Sequence, residues 1–342
     1  MPSAHRPARK SAPDAPLIAR VHAQLARGGF HSGAELARVL KVSRSAVWKA
    51  AVALRELGVV VHAVRNRGYR LPGVCEPLDA MRIRAALATP VRERIRRLEA
   101  VWSLPSTNAV LLERNDVPAG RADVLIAEFQ SAGRGRRGRA WLAPPGGAIC
   151  ISLGFTFAQL PRDLAALGLA VGVWVLRALR GHTPHELGLK WPNDLTLERR
   201  KLGGILIELR AESGGPTYVV IGLGLNVSLG APLLERIAQT GTRAIDLVAA
   251  GVDPARRNAI VASLVEAMVT GLEEFERAGL KPFIEEWRRA DTLRGAAVTV
   301  HAAQGPTRGI ARGIDASGAL LVESTAGLQK FVSGEVSVRA ET

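Results

Sequence analysis

Residues 133–139 read Gly133-Arg134-Gly135-Arg136-Arg137-Gly138-Arg139, directly after a β-rich run at residues 124–130. Glycine allows backbone N–H groups to turn towards an anion. The four arginines within six residues can make charge-assisted and often bidentate hydrogen bonds to phosphate or carboxylate groups. The alternation of glycine and arginine after a strand therefore predicts an ordered anion-binding loop, which we call the glycine–arginine loop. A solvated basic loop and a second nucleic-acid patch are the alternative interpretations.

The same stretch contains GxGxxG, the spacing of a dinucleotide-binding loop. That motif should open a helix and be followed by an acidic residue about 20 positions later. Here Pro144-Pro145-Gly146-Gly147 prevents a helix, and no acidic residue occurs between Gly138 and Asp163. The sequence also has no GxxxxGK[ST] phosphate loop. Both common nucleotide-binding motifs are therefore excluded, and the loop points to another kind of phosphate site.

Three further stretches place polar side chains and glycines at the ends of predicted strands: residues 190–194 (KWPND), residues 199–204 (RRKLGG) and residues 222–226 (GLGLN). Strands at residues 204–209 and 218–221 are predicted to pair. Because strands are rigid, they can hold such side chains in fixed positions. Taken singly, Lys201 is also typical of a solvated surface and Asn226 of a turn.

Composition limits the class of protein. The 342 residues, 47% of them hydrophobic and 23% charged, suit a globular chain of two or three domains and exclude a wholly disordered one. The longest apolar run, residues 164–176, is shorter than the roughly 20 residues of a membrane span and predicts a buried helix. With only Cys75 and Cys150, and no CxxC or HExxH pair, the sequence favours a reducing cytoplasm and predicts no structural metal site. Residues 1–15 predict a disordered leader without a signal peptide.

Positive charge is concentrated near the N-terminus. Residues 1–75 contain 13 Lys and Arg against 3 Asp and Glu, which accounts for +10 of the net charge of +15. A small basic module on a nearly balanced body is typical of a nucleic-acid-binding domain joined to another domain. A general drift towards arginine is the alternative explanation, but drift would spread the charge along the chain.

Within residues 16–73 the pattern predicts a winged helix-turn-helix. Apolar residues at helical spacing predict a first helix, and Ser32 with Glu35 forms a capping box that opens a second. After a tight turn, Ser43 can cap a third helix that ends at Gly58. Two β-rich runs around Arg65-Asn66-Arg67-Gly68 then predict a hairpin with a basic tip.

The candidate DNA contacts lie on the outward face of the third helix and at the hairpin tip: Arg44, Ser45, Trp48, Lys49, Arg55, Arg65 and Arg67. Arg44 is suited to pair with a guanine, whereas Lys49 and Arg55 are suited to phosphates. A three-helix module that binds another protein is the alternative interpretation.

The last fifty residues predict a separate small β-barrel. They follow a helical stretch at residues 257–290 and contain short β-rich runs at residues 297–301, 309–314, 319–323 and 329–332. Turn signals at residues 305–306 and 317–318 separate these runs.

Taken together, the motifs match a known family. Ser106-Thr107-Asn108, the glycine–arginine loop, KWPND, KLGGIL at residues 201–206 and GLGLN occur in the order and spacing seen in biotin protein ligases. With the winged helix in front, the sequence resembles the bifunctional biotin ligase and biotin-operon repressor family from residue 17 to residue 339. The resemblance implies an α+β multidomain fold: a winged helix-turn-helix (16–73), a linker (74–95), a mixed α/β ligase domain related to class II aminoacyl-tRNA synthetases (96–290) and an SH3-like C-terminal barrel (291–342) that includes residues 334–337.

The resemblance also implies a reaction. The family joins biotin and ATP, with Mg²⁺, into biotinyl-5′-AMP and transfers biotin to a lysine of a biotin carboxyl carrier protein. The implied biotin-binding residues are Ser106, Thr107, Asn108, Gln130, Arg134, Gly135, Arg136 and Lys201. The implied ATP and Mg²⁺ residues are Arg137, Arg139, Lys190, Trp191, Asn193, Asp194 and Asn226. Lys201 and Arg136 are the implied catalytic residues, because Lys201 neutralises the carboxylate and α-phosphate and Arg136 clamps the phosphates.

The resemblance further implies regulation. Biotinyl-5′-AMP would act as corepressor of a cytoplasmic homodimer that binds operator DNA and no membrane. Relatives with both functions place a tryptophan against the adenine, in a loop that corresponds to about residues 240–247, and this chain has no aromatic residue there. The departure bears on how adenylate binding is coupled to dimerisation rather than on adenylate formation.

Three alternatives remain at this point. One is a ligase whose winged helix no longer represses, and another is a transcription factor whose ligase domain senses a ligand but is catalytically dead. The intact Lys201 and the intact glycine–arginine loop disfavour the second of these. A lipoate ligase shares the fold but normally lacks the N-terminal domain and this loop.

Overall fold

The computed structural model describes residues 15–211, 216–302, 305–332 and 337–340. The chain divides into two compact units, Met1–Val74 and Cys75–Thr342. Apart from Ala15, the predicted leader lies outside the described residues. Among the helices in these ranges, none is long and apolar enough to cross a membrane.

The first unit is a winged helix-turn-helix, as predicted. Three helices, α1 (Leu17–Leu25), α2 (Gly33–Leu40) and α3 (Arg44–Glu56), precede a hairpin of β1 (His62–Val64) and β2 (Gly68–Arg70). The hydroxyls of Ser32 and Ser43 accept hydrogen bonds from the N–H groups of Glu35 and Ala46, which confirms both predicted caps. Apolar residues from all three helices form the core: Val21, Leu25, Leu36, Leu40, Val47 and Leu54.

The second unit is built on a mixed sheet of seven described strands in the order β3-β4-β5-β9-β8-β7-β6. The strands are β3 (Ile95–Leu104), β4 (Ala122–Gln130), β5 (Ala148–Phe157), β6 (Gly188–Lys190), β7 (Asp194–Leu197), β8 (Arg200–Ala211) and β9 (Thr217–Asn226). β3 runs parallel to β4, and every other neighbouring pair is antiparallel. The predicted pairing of the strands on either side of residues 212–215 is confirmed by β8 and β9.

The helices of the second unit are α4 (Ala80–Ala86), α5 (Thr89–Arg94), α6 (Thr107–Arg114), α7 (Leu167–Leu179), α8 (Ala231–Ala238), α9 (Arg257–Ala278) and α10 (Ile284–Ala290). α7 is the buried helix that the apolar run predicts. Of residues 74–95, for which the sequence predicts a linker, all but Val74 belong to this unit. Their apolar residues Ile83, Leu87, Val91 and Ile95 repeat every four positions and pack into its main core.

The two faces of the sheet differ because side chains alternate along each strand. One face carries Ile149 and Ile151 of β5 and Leu223 and Leu225 of β9, which join the main core with α7 and α9. On the other face, α6 covers a small second core at one end. Beside it, β5 presents Cys150 and Ser152 opposite two glycines of β9. These small residues make a shallow floor on which the candidate site is built.

The C-terminal strands form a five-stranded antiparallel sheet in the order β13-β12-β11-β10-β14. They are β10 (Ala297–Ala302), β11 (Gly305–Ile314), β12 (Leu320–Ser324), β13 (Gly327–Phe331) and β14 (Ser337–Ala340). The predicted turn at residues 305–306 is wrong, because both residues pair with β10 at the start of β11. Val298, Val300 and Leu320 are buried in a cluster that is continuous with the main core of the ligase domain. Residues 334–336 lie outside the described residues.

Candidate active site

The floor of the site depends on alternate glycines in β9. A Cβ atom at Gly222 would overlap Asn108 Oδ1, and one at Gly224 would lie 2.5 Å from Trp141 Cε2. The Asn108 and Trp141 side chains therefore lie directly on the strand backbone. Glycine inside a strand is a signal of close approach by another group. The two glycines of GLGLN carry that signal, but the sequence alone does not indicate that Trp141 is one of the groups that approach the strand.

A hydrogen-bond network surrounds the first turn of α6. Ser106 caps the helix, and Gln130 Oε1 accepts from the Thr107 N–H at 2.7 Å and from the Thr107 hydroxyl at 3.1 Å. Ser152 Oγ lies 2.6 Å from Thr107 Oγ1 and 2.5 Å from Asn108 Oδ1. The structure thus brings together four of the predicted biotin residues, Ser106, Thr107, Asn108 and Gln130. It adds Ser152, which was not predicted from the sequence.

Glu208 of β8 connects this network to the glycine–arginine loop. Asn108 Nδ2 donates to Glu208 Oε2 at 2.8 Å, and an Arg134 nitrogen lies 3.3 Å from the same carboxylate. Nothing in the spacing of the motifs identifies Glu208, because it becomes part of the site only through the pairing of β8 with β9.

Two backbone hydrogen bonds span the glycine–arginine loop. The Gly135 N–H donates to the Arg139 carbonyl at 2.7 Å, and the Trp141 N–H donates to the Gly133 carbonyl at 2.8 Å. Between these bonds, Arg137 has a φ of 57°, a left-handed conformation that side chains other than glycine seldom adopt. Gly135 is half-buried, whereas Arg137 and Arg139 are exposed.

Lys201 and Asp194 form an ion pair at 2.7 Å between Nζ and Oδ1. A Cβ at Gly204 would lie 3.3 Å from Lys201 Nζ, so this glycine leaves room for the lysine chain. Burial and the neighbouring charge of Arg137 lower the pKa of Arg136, while Asp194 raises it. The charge of Asp194 therefore acts on two cations, one from β8 and one from the glycine–arginine loop.

A bulge in β8 determines the face on which Lys201 lies. Leu195 pairs with Gly203 but the next residue, Thr196, pairs with Lys201, so β8 contains one extra residue at Leu202. In a regular strand, residues three positions apart, such as Lys201 and Gly204, point to opposite faces. The bulge reverses that alternation and places Lys201 on the same face as Gly204 and the site.

The remaining residues predicted to bind ATP and Mg²⁺ are half-buried or buried. Asn193 Nδ2 donates to the Ile205 carbonyl at 2.7 Å and so fastens the β6–β7 turn to β8. Lys190 is half-buried. Trp191 is 1% exposed and its indole N–H donates to the Gly318 carbonyl at 3.1 Å.

Asn226 is also buried, and it donates to the Ile245 carbonyl at 2.9 Å and to the Lys201 carbonyl at 3.3 Å. The structure thus places Trp191 and Asn226 in the interior, where each donates to a backbone carbonyl.

Residues 240–247 lie alongside the start of β8. The Lys201 N–H donates to the Arg243 carbonyl at 2.7 Å, and the Ile245 N–H donates to the Lys201 carbonyl at 2.9 Å. Asp246 accepts from the backbone of Leu229 and Ala249. The segment without an aromatic residue is therefore held against Lys201 by backbone hydrogen bonds.

The donor set also bears on Mg²⁺. Among the described residues, no three His, Cys, Asp or Glu side chains lie close enough together to hold a metal ion. Mg²⁺ usually keeps several waters and binds through one or two carboxylates and the phosphates of its nucleotide. Asp194 fits that role as a single carboxylate, with the ion supplying charge neutralisation on the phosphates.

The predicted DNA contacts gather on α3 and the hairpin of the first unit. Trp48 is 55% exposed, and Arg44, Ser45 and Lys49 are exposed with it. Arg55 Nε donates to the Val61 carbonyl at 2.9 Å, which ties α3 to the start of the hairpin. At the wing, Arg65 and Arg67 are exposed, and the Arg67 guanidinium lies 4.1 Å from the centre of the Phe30 ring.

Three family matches cover most of the chain. Residues 101–226 match the biotin/lipoate A/B protein ligase family, residues 19–70 an HTH domain, and residues 295–339 the biotin protein ligase C terminal domain. The bifunctional ligase/repressor BirA of Escherichia coli is 36% identical over 319 residues, covering 93% of this chain and 96% of that protein. The chain belongs to the bifunctional biotin ligase/repressor family.

Other known proteins are similar to this chain in sequence or in fold. The biotin–[acetyl-CoA-carboxylase] ligase of Mycobacterium tuberculosis is 37% identical over 237 residues, or 67% of this chain and 84% of that protein. Among solved structures, the biotin protein ligase from Aquifex aeolicus in complex with biotin and ATP has a TM-score of 0.60 and 27% identity, covering 72% of this chain and all of that chain. The three family matches confirm the three-part fold that the sequence predicts.

Proposed function

We propose that this chain joins biotin to ATP to form biotinyl-5′-AMP, transfers the biotinyl group to a lysine of a biotin carboxyl carrier protein, and represses transcription when the adenylate is bound. The observation that carries the proposal is the Lys201–Asp194 ion pair. Lys201 belongs to β8, the strand whose Glu208 bonds to Asn108, and the charge of Asp194 also acts on Arg136 of the glycine–arginine loop. Family membership supports the same reaction.

The network around α6 suits the ring end of biotin. The ureido group offers two N–H donors and one carbonyl acceptor. Ser106, Thr107, Asn108 and Gln130 provide hydroxyls and amides that can both donate and accept. Thr107 is bonded to Gln130, Ser152 bonds to both Thr107 and Asn108, and Ser106 caps α6, so these side chains are already oriented and little orientation is lost on binding.

In the first step, a biotin carboxylate oxygen attacks the α-phosphorus of ATP, and the bond to pyrophosphate breaks. Negative charge builds on the α-phosphate oxygens. Lys201 exchanges its contact with Asp194 for the carboxylate and these oxygens, and Arg136 binds the phosphates from the loop. Lys201 makes this exchange when the substrates bind, so both cations are in place before charge develops on the α-phosphate.

In the second step, the neutral amine of the carrier lysine attacks the acyl carbon of the adenylate. An amide bond forms, the bond to AMP breaks, and the amine proton leaves to solvent. Both nucleophiles come from substrates, so the protein contributes positioning and charge. The glycine–arginine loop, closed over the adenylate, keeps water from the mixed anhydride.

Regulation is proposed to require a cytoplasmic homodimer that presents two winged helices to an inverted repeat of operator DNA. The exposed basic face of α3 and the wing support DNA binding. For the dimer, β8 offers an edge: β7 pairs with it only from Arg200 to Gly204, and no other strand in the described ranges covers that edge further along. An uncovered strand edge is a template for pairing with a second chain.

The direct test incubates the purified chain with biotin, ATP, Mg²⁺ and a biotin-carrier domain, and measures the mass of the carrier. The expected result is addition of one biotinyl group at one lysine. If the chain binds biotin but transfers none, the ligase proposal fails and the ligand-sensing alternative replaces it.

A further inference from the structure

Arg257, the first residue of α9, is completely buried. One terminal nitrogen donates to Glu128 Oε2 and to the Glu76 carbonyl, each at 2.9 Å, and the other donates to the Ala148 carbonyl at 2.9 Å. A buried charge destabilises a fold unless it is paired and fully hydrogen-bonded. Here Glu128 supplies the opposite charge, while the Arg257 Nε is buried without a hydrogen-bond partner among the described residues.

The partners of Arg257 lie at both ends of one segment. Glu128 is two residues before the end of β4, and Ala148 is the first residue of β5. The chain between them, residues 131–147, contains the whole glycine–arginine loop and Trp141. The Gly146 N–H also bonds to the Glu128 carbonyl at 3.4 Å. One guanidinium therefore joins the two ends of the segment that is expected to close over ligands.

The same cluster holds the first residues of the second unit. The Leu78 N–H donates to Glu128 Oε1 at 2.6 Å, and the Cys75 thiol donates to the Gly146 carbonyl at 3.4 Å. Asn258, next to Arg257, donates from Nδ2 to the Pro77 carbonyl at 2.9 Å. Residues 75–79, which follow the DNA-binding unit in the chain, are thus bonded to both ends of the loop segment.

We propose that Arg257 is a positioning residue that fixes the base of the glycine–arginine loop to residues 75–79, so that ordering of the loop by biotin and ATP also orders the segment that follows the DNA-binding unit. The inference rests on the proposed ligase function and deepens it. Arg257 does not touch substrate. It acts through Glu128, which belongs to the same strand as the biotin residue Gln130.

The test compares Arg257→Lys with Arg96→Lys in the full chain by hydrogen exchange, with and without biotin plus ATP. Lysine keeps the charge but cannot make the forked contacts. Arg96 is a matched control, because it binds the buried Asp123 through Nε and one terminal nitrogen at the opposite end of β4 and touches neither the loop nor residues 75–79.

In the wild type, the ligands should slow exchange in residues 131–147 and in residues 75–79. Arg257→Lys should abolish the ligand effect in residues 75–79 and raise the biotin KM about tenfold, the loss expected for one charge-assisted hydrogen bond. Arg96→Lys should lower thermal stability but keep both ligand effects. If Arg257→Lys behaves like Arg96→Lys, the proposal is overturned.

A second variant covers the case in which Arg257→Lys does not fold. Asn258→Ala leaves the buried charge paired and removes the bonds to the Pro77 carbonyl and from the Asp79 N–H. Ligands should then still slow exchange in residues 131–147, but their effect in residues 75–79 should be smaller than in the wild type, because the bonds of Leu78 and Cys75 remain. A wild type that transfers biotin yet shows no ligand effect in residues 75–79 would overturn this inference and leave the ligase function standing, whereas absence of transfer is the failure of the ligase function itself.

Discussion

Arg136 has a local environment suited to retaining a reactive intermediate. It is half-buried within the glycine–arginine loop, and Asp194 stabilises its charge. Replacing it with glycine should open the loop and let biotinyl-5′-AMP escape, since a phosphate clamp is lost. We expect Arg136→Gly to biotinylate bystander proteins that lack a carrier domain, as measured by a streptavidin blot. Arg162→Gly, an exposed arginine outside the site, serves as the control. Bystander labelling no higher than in the control would contradict this role.

The sequence predicted several residues of the site but not which of them are buried and bonded to the backbone. Lys201 pairs with Asp194, and Thr107 bonds to Gln130, so residues from different motifs meet in two pairs. Trp191 and Asn226 belong to the same motifs, yet both are buried and bonded to backbone carbonyls. Motif spacing reports that a residue is required and does not distinguish contact with substrate from support of the backbone.

At the scale of elements, the alternate glycines of β9 let α6 reach the sheet. Alanine at residue 222 would force Asn108 away from Ser152 and Glu208. We expect Gly222→Ala to raise the biotin KM about 10- to 100-fold, the effect of losing one or two buried hydrogen bonds. The ATP KM should change much less. Both are measured in the transfer assay.

Gly168→Ala provides the matched control for this prediction. A Cβ at Gly168, in α7, would make only an ordinary contact of 3.8 Å with Ile207. It should leave the biotin KM at the wild-type value. Equal KM values for the two alanine variants would show that the glycine floor does not form the biotin site.

The elements themselves were largely predictable, whereas their irregularities were not. Ser32 and Ser43 cap helices where the sequence places them, and the strand before the glycine–arginine loop was predicted, whereas β5 after the loop was not. The bulge at Leu202 was not, because it depends on the register between β7 and β8, which local sequence does not set. The apolar stripe from Ile83 to Ile95 was visible in the sequence, but it predicted a connection with one short helix, whereas the structure has two helices, α4 and α5, packed into the main core.

At the scale of the whole molecule, the uncovered edge of β8 is where two chains are proposed to meet. Leu209 on that strand is 51% exposed. A lysine on a strand edge discourages pairing. We expect biotin plus ATP to shift the wild type from monomer to dimer in sedimentation velocity, and Leu209→Lys to prevent the shift. Leu160→Lys, which changes an exposed leucine elsewhere, should dimerise normally. Dimerisation that does not depend on ligands would rule out this form of regulation.

The central claim is that Lys201 stabilises the charge that develops when biotin is adenylated. The measurement that tests it most directly is the rate of pyrophosphate release from biotin and ATP in Lys201→Ala and in Lys330→Ala. Lys330 is the matched control, since it also pairs with an aspartate, Asp315 at 3.0 Å, but lies in the C-terminal sheet. The account predicts a loss of about 10²–10³-fold for Lys201→Ala, the usual effect of removing one preorganised donor, and a near wild-type rate for Lys330→Ala. Equal rates in the two variants would contradict it.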